Sequence, residues 1–389
     1  MRGFFAQIRQ KNSKKVIAKR YVDIIMRRVE KGIGAMSKVK SGRQSNLELL
    51  RILAMCMIIC CHFVTYNNFG PTNMFSDKTL ALSMLRLGGK LGVVLFVMIT
   101  GYFMLNKTFK WQRIIDLSRQ TVYFSVLVAV LAYAFAGTKP DLLDVFRMML
   151  PLIMENYWFP TDFAVILILS PVLNKLVYTV DKKTMTLGLA GLIFLIGLPI
   201  IVPSMKNAVI GLILAYVLGA CVQKYDLKVS NVKLVLLLIL VGVLTTAVTG
   251  LLLTSAHSST FISGFRLFFV TGFNVSAYAS ALIIFLLFRQ WNFGNIKIIN
   301  TVASTTFGVY LFHDSRAFRM YMWHDIINPA QWHGVRLIIG LFLTVIGIFI
   351  VGMMLDLIRQ YIGMALKKVV EYAKTNNKSE SIIEKRSVI

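Results

Sequence analysis

Three ionisable side chains, Glu48, Arg51 and His62, interrupt the run NLELLRILAMCMIICCHF, Asn46 to Phe63, which is apolar enough to enter a lipid bilayer. An arginine near the centre of a membrane helix costs roughly 2.5–3.5 kcal/mol on insertion scales, so ionisable residues at depth mark candidate functional sites. His62 follows Arg51 by eleven positions, which is just over three helical turns; the two share a face about 16 Å apart along the axis. Glu48 lies one turn before Arg51, within pairing distance on the same face. An imidazole suits proton transfer near neutral pH. A guanidinium held by a carboxylate suits negative charge on a substrate or a transition state. Simpler readings stay open for each residue. Ser45-x-x-Glu48 also spells a capping box, Arg51 could snorkel to the headgroups, and His62 could sit in the opposite interface. A shared face favours joint use, because independent interfacial residues have no reason to align.

The elements that must position these residues follow from composition. The 389-residue chain is 57% hydrophobic with a mean hydropathy of +0.68, well above that of a soluble domain, and it carries many apolar runs of about 18 or more residues. These features predict an all-α, polytopic membrane helical bundle of about ten transmembrane helices, near 47–66, 82–105, 117–136, 160–178, 184–203, 208–222, 231–253, 267–288, 298–314 and 335–358. The formal charge of +26 lies in the tails and in alternate loops, as the positive-inside rule expects, and this argues against nucleic acid as a partner. NKTFKWQRIIDLSRQ, the turn from Lys175 to Lys183, QKYDLKVSNVK and RQWNFGNIKIIN are the basic, cytoplasmic loops, and both termini fall on that side. LLDVFRMMLPLIMENYWF, interrupted by Pro151 and containing Asp144, Arg147 and Glu155, would invert every later loop if it spanned. It reads as a re-entrant or interfacial segment.

Residues 1–45 form a basic cytoplasmic arm with thirteen Lys or Arg against Asp23 and Glu30. The arm lacks the apolar core of a signal peptide, and its composition favours a helix lying on anionic membrane lipid over a disordered arm. Residues 46–360 make one membrane domain, and 361–389 a polar cytoplasmic tail. Cys56, Cys60, Cys61 and Cys221 lie in apolar stretches without metal-ligand spacing. His257, His324 and His333 fall in loops on the outer side, also without such spacing, so no metal site is expected.

NLELLRILAMCMIICCHF, then GGKLGVVLFVMITGYFML, YWFPTDFAVILILSPVLNKLV and STTFGVYLFHDS, taken in order, resemble the acyltransferase 3 family of bacterial membrane O-acyltransferases, from about Asn46 to Asp356. The marker is the Arg-x10-His pair that Arg51 and His62 reproduce, supported by Gly92, Thr100-Gly101-Tyr102 and the stretch Gly308 to Asp314. The resemblance implies transfer of an acyl group, most often acetyl, from cytoplasmic acyl-CoA to a hydroxyl of a cell-envelope glycan. It makes His62 the base or a transient acyl carrier, with Arg51 and Glu48 beside the donor. Relatives carry Arg-x-x-Arg where this chain has Lys110-x-x-Arg113 with Lys107 nearby; a lysine supplies charge but not a bidentate fork for phosphate.

Tyr157, Trp158, His313 and Asp314 fall near the outer surface as candidate substrate-binding residues, although an aromatic belt explains the first two equally well. His313 and Asp314 could orient a substrate or fix His62, but adjacent residues on a helix point apart, so both do not easily serve one small site. The polar tail is too short for an appended transferase domain, so transfer is direct or involves a separate transferase or polysaccharide-assembly partner. A glycan or lipid transporter is the rival from another class, since buried charges also mark transport paths; no inverted repeat supports it.

Overall fold

The computed structural model describes residues 44–69, 76–137, 139–197, 208–255, 264–266, 269–270 and 272–386. Residues 1–43 of the expected lipid-binding arm and His257 lie outside them. The described residues form helices with no strand: α1 Ser45–Thr65, α2 Asp77–Met104, α3 Gln112–Ala136, α4 Leu142–Met149, α5 Trp158–Thr179, α6 Lys182–Gly197, α7 Ala208–Tyr225, α8 Asn231–Thr254, α9 Val275–Gln290, α10 Lys297–Ser304, α11 Thr306–His313 and α12 Gly334–Arg386. A polytopic helical bundle is therefore the architecture. Among the described residues seven helices are long and apolar enough to cross a membrane, so the expected ten are not all found there.

The difference has local causes. Where one helix is expected over 298–314, three consecutive hydroxyls bend back onto their own chain: Ser304 Oγ donates to Thr301 O at 2.7 Å, Thr305 Oγ1 to Val302 O at 2.7 Å and Thr306 Oγ1 to Ala303 O at 2.8 Å. Such bonds compete with the helical ladder, and the segment breaks at Thr305 into α10 and α11. The helix expected over 267–288 starts later, at Val275, because Asn274 caps it by accepting from Ala277 N at 2.9 Å. The described part of the helix expected over 184–203 is α6, with the remainder outside the described residues. At the other extreme, α12 runs unbroken for 53 residues, so the polar tail continues the last spanning helix.

The interrupted segment forms one short helix and does not span. Asp141 and Asp144 close a capping box around the start of α4, and the helix lasts only eight residues. Leu142, Phe146 and Ile153 stand exposed, as apolar side chains facing lipid would.

Two ends of the bundle can be told apart from their contacts. At one end the start of α1 is pinned to the close of α9 and the segment after it: Ser45 N donates to Gly294 O at 3.3 Å, Ile296 N to Ser45 Oγ at 2.7 Å, and Asn46 Nδ2 to Phe288 O at 2.7 Å. The same end gathers the close of α2, α5, α7 and α9. Asn174 Nδ2 donates to Met104 O at 3.0 Å, Lys224 Nζ to Val177 O at 2.7 Å, and Arg289 Nη1 to Leu227 O at 2.7 Å. The loops expected to be basic and cytoplasmic thus meet on one face, here called the Ser45 end. There the carboxyl of exposed Asp226, hydrogen-bonded by Lys228 and also by Arg289, is held below the usual carboxylate range.

Close helix approach fixes the core. A side chain at Gly101 would run into the backbone of Tyr216, and one at Gly219 into that of Met98, so α2 and α7 meet backbone to backbone, as small residues permit in membrane bundles.

Candidate functional site

His62 lies in the last turn of α1, at the end opposite Ser45. Its Nδ1 is 2.9 Å from His313 Nε2, and the tautomers follow from the next bond. His313 Nδ1 is 2.6 Å from Val309 O; a carbonyl only accepts, so His313 Nδ1 carries the hydrogen. In a neutral ring His313 Nε2 is then an acceptor, which makes His62 Nδ1 the donor. The nitrogen left over, His62 Nε2, has an unshared pair. The pairing thus orients an imidazole and sets it in the tautomer required of a base.

Asp314 stands beside this pair, its Oδ1 4.0 Å from His62 Nδ1. The carboxylate is buried and surrounded by donors: Tyr66 OH at 2.6 Å, Tyr310 OH at 2.7 Å and Arg319 Nη1 at 3.3 Å. Tyr66 is four residues after His62 and Tyr310 four before Asp314, so one turn of each helix places a phenol over the acid. His313 and Asp314 both lie beside His62, although adjacent helical residues point apart. Asp314 is the residue that ends α11, with non-helical φ −102° and ψ 12°, and its side chain is released from the direction a continuing helix would impose.

A cavity of about 160 Å³ opens against His62, lined also by Cys61, Tyr66, Arg86, Lys90, Trp158 and Tyr310. Trp158 lies in it, with Lys90 Nζ 4.4 Å from the centre of its ring. Tyr157 does not; it is buried and donates to Leu311 O at 3.1 Å, bracing the helix that carries His313. Tyr66, Tyr310, Arg319, Arg86 and Lys90 are the site residues that pattern reading overlooks. Arg86 and Lys90 carried a usable signal, being two cations four residues apart in an apolar run. Arg319 carried none, since it belongs to an irregular segment.

Arg51 and Glu48 occupy the other half of α1. Arg51 Nη1 contacts both carboxylate oxygens of buried Glu48 at 3.1 Å. The capping-box alternative does not form: α1 has no side-chain cap, and Ser45 Oγ donates instead to Asn300 Oδ1 at 3.1 Å. The Arg51 guanidinium lies 5.9 Å from the Phe103 ring centre and Lys107 Nζ 5.8 Å from the same ring, so the two cations converge at the Ser45 end. Lys110 is exposed there. Arg113 Nη1 donates to Thr108 O at 2.8 Å, closing the short loop between α2 and α3. The expected site residues therefore fall into two groups: Glu48, Arg51, Lys107, Lys110 and Arg113 towards one end, and His62, His313, Asp314 and Trp158 towards the other. The sequence-adjacent Tyr157 supports the second group from behind.

A family model described as an acyltransferase domain matches residues 44–354, a span that begins just before α1 and closes within α12, enclosing both groups. No curated protein and no solved structure matches the chain.

Proposed function

The chain belongs to the acyltransferase 3 family of membrane proteins, and we propose that it moves an acyl group, acetyl above all, from acyl-CoA to a hydroxyl of a cell-envelope glycan. The observation that carries this reading is the His62–His313 pair beside a cavity, with the hydrogen bonds assigning the free lone pair to His62 Nε2. In the proposed reaction the acceptor hydroxyl gives its proton to His62 Nε2 as its oxygen attacks the thioester carbonyl carbon. The C–O bond forms, the C–S bond breaks, and the leaving thiolate of CoA takes the proton from the imidazolium. Asp314 supplies the negative charge that steadies the imidazolium between these transfers, as the acid of a triad does.

The donor's phosphates would rest at the Ser45 end, which the proposed orientation makes cytoplasmic. Arg51, Lys107, Lys110 and Arg113 concentrate positive charge there, and the rise of α1 leaves about 16 Å between Arg51 and His62, a span for the pantetheine arm. Glu48 holds the Arg51 guanidinium in place, and no metal takes part in the scheme. Either the glycan meets His62 directly or a separate assembly protein presents it.

The test follows label from radioactive acetyl-CoA into envelope glycan with purified protein in lipid discs. Wild type should transfer it, and replacing Lys110 and Arg113 together with Gln should raise the KM for acetyl-CoA about tenfold or more, since each charge-assisted contact contributes of order 1.5–3 kcal/mol. Unchanged KM would remove these two residues from the donor site.

A further inference from the structure

The cavity beside His62 holds two cations that the acyl-transfer scheme leaves unused. Arg86 and Lys90 both line it. Among the described residues neither lies within 4 Å of a carboxylate oxygen, whereas Arg51, Arg319 and Arg359 each have one. Arg86 Nε is buried with no hydrogen-bond partner. Lys90 Nζ sits between the rings of Trp158 and Phe273, 4.4 and 4.5 Å from their centres, an arrangement that softens desolvation without neutralising the charge. Both residues are partly buried and like charges four residues apart on one helix repel; Asp162 and Asp314 reach Lys90 only from beyond ion-pair distance, and no carboxylate reaches Arg86 within 4 Å among the described residues. The pair is therefore a preformed demand for an anion.

Its position says which substrate supplies that anion. Gly89 abuts Cys61, the residue before His62, so Lys90 is level with the imidazole. Arg86 lies about 6 Å further along α2, away from the Ser45 end. The cationic cluster suited to CoA phosphates is at the opposite end of α1. An anion at Arg86 and Lys90 thus approaches from the acceptor's side.

We propose that Arg86 and Lys90 form an acceptor subsite for an oxyanion, a carboxylate or a phosphate ester borne by the sugar whose hydroxyl reaches His62. This rests on the acyltransferase reading and narrows it to acidic glycans. The cavity, about 160 Å³, has room for one ring-sized group, as a cavity of about 150 Å³ admits benzene. Trp158 offers an aromatic face to it.

The experiment has a binding arm and a transfer arm, both on full-length protein in lipid discs. In the binding arm, methyl glucuronide and methyl phosphate should each raise the unfolding temperature saturably and methyl glucoside should not. Arg86→Gln and Lys90→Gln should weaken the effect about tenfold or more in apparent Kd, and Arg86→Lys should retain part of it. A stronger response to the glucuronide assigns a carboxylate, and to the phosphate a phosphate ester. In the transfer arm, wild type should favour methyl glucuronide or glycerol phosphate over methyl glucoside by about tenfold or more in kcat/KM, and both Gln variants should erase that preference. Equal use of acidic and neutral acceptors by wild type overturns the subsite. So does an equal fall in kcat for both acceptor classes, which would assign the cations to the reacting carbonyl, and so does loss of acetyl-CoA affinity in either variant. Saturable binding of the acids without transfer to any acceptor would instead overturn the acyltransferase reading and leave the anion subsite standing. If Arg86→Gln fails to fold, Lys90→Gln decides alone.

Discussion

A single hydrogen bond to Val309 O sets the protonation of two histidines, and this makes His313 testable as a positioning residue. Replacing His313 with Ala removes the acceptor for His62 Nδ1–H, so the imidazole can adopt either tautomer. Holding a catalytic imidazole in the wrong tautomer lowers turnover by up to about 10⁴ in a triad. Steady-state kinetics of His313→Ala should show kcat reduced by roughly a hundredfold or more with the KM for acyl-CoA changed less than about twofold; an equal rise in KM would mean the bond merely holds the bundle together. At this scale the Arg51–His62 spacing and the Glu48–Arg51 pair were legible in the sequence, because a helix converts spacing directly into a shared face. That His313 or Asp314 could fix His62 was open from the sequence, but the joint placement of both beside it, from about 250 positions away, was not. It depends on where α11 stops, which a one-residue change in helix length would alter.

The elements that hold this site are defined by where helices break and where they touch. The hydroxyl run Ser304-Thr305-Thr306 ends α10 and lets α11 start afresh, and α11 then carries Tyr310 and His313 against α1. Gly308 fixes its depth, since a methyl group there would lie 2.6 Å from the Cβ of Asp356 on α12. Asp356 cannot yield, because it is buried and held by Gln120 at 2.9 Å, Arg359 at 2.7 Å and Gln360 at 2.7 Å. Gly308→Ala should therefore destabilise the protein by about 1–3 kcal/mol through overpacking and displace His313. Thermal unfolding and turnover should fall together. Gly191→Ala, where an added methyl meets nothing within 4 Å, serves as the control and should leave both unchanged. Apolar run lengths revealed most of these helices. The Thr305 break was less visible because side-chain to backbone bonds leave no mark on hydropathy.

For the molecule as a whole, charge and contacts point to one topology. The basic loops that alternate along the chain meet at the Ser45 end, while the histidine pair and Asp314 occupy the other, so donor and acceptor would approach from opposite faces. Ser76 precedes α2 and Ser230 precedes α8, both exposed, and each caps its helix. Cysteine at either position costs about 1 kcal/mol of capping, which a bundle of this size tolerates. In sealed cells, a membrane-impermeant thiol reagent should label Ser76→Cys and spare Ser230→Cys until the membrane is opened. The reverse pattern would invert the proposed orientation.

The central claim is that His62 is the base for acyl transfer and must occupy its present face of α1. It is tested most directly by turnover of labelled acetyl-CoA in lipid discs for wild type, for His62→Ala, and for a variant in which Cys61 and His62 are exchanged. The exchange keeps composition and hydropathy constant but turns the imidazole by about 100° around the helix, away from His313 and towards Gly89 on α2, so thermal unfolding is read beside turnover and His62→Ala decides if the exchanged protein is unstable. Both variants should insert and accumulate while turnover falls by at least about a hundredfold, the lower range for loss of a general base. Wild-type turnover in the exchanged protein would contradict the account.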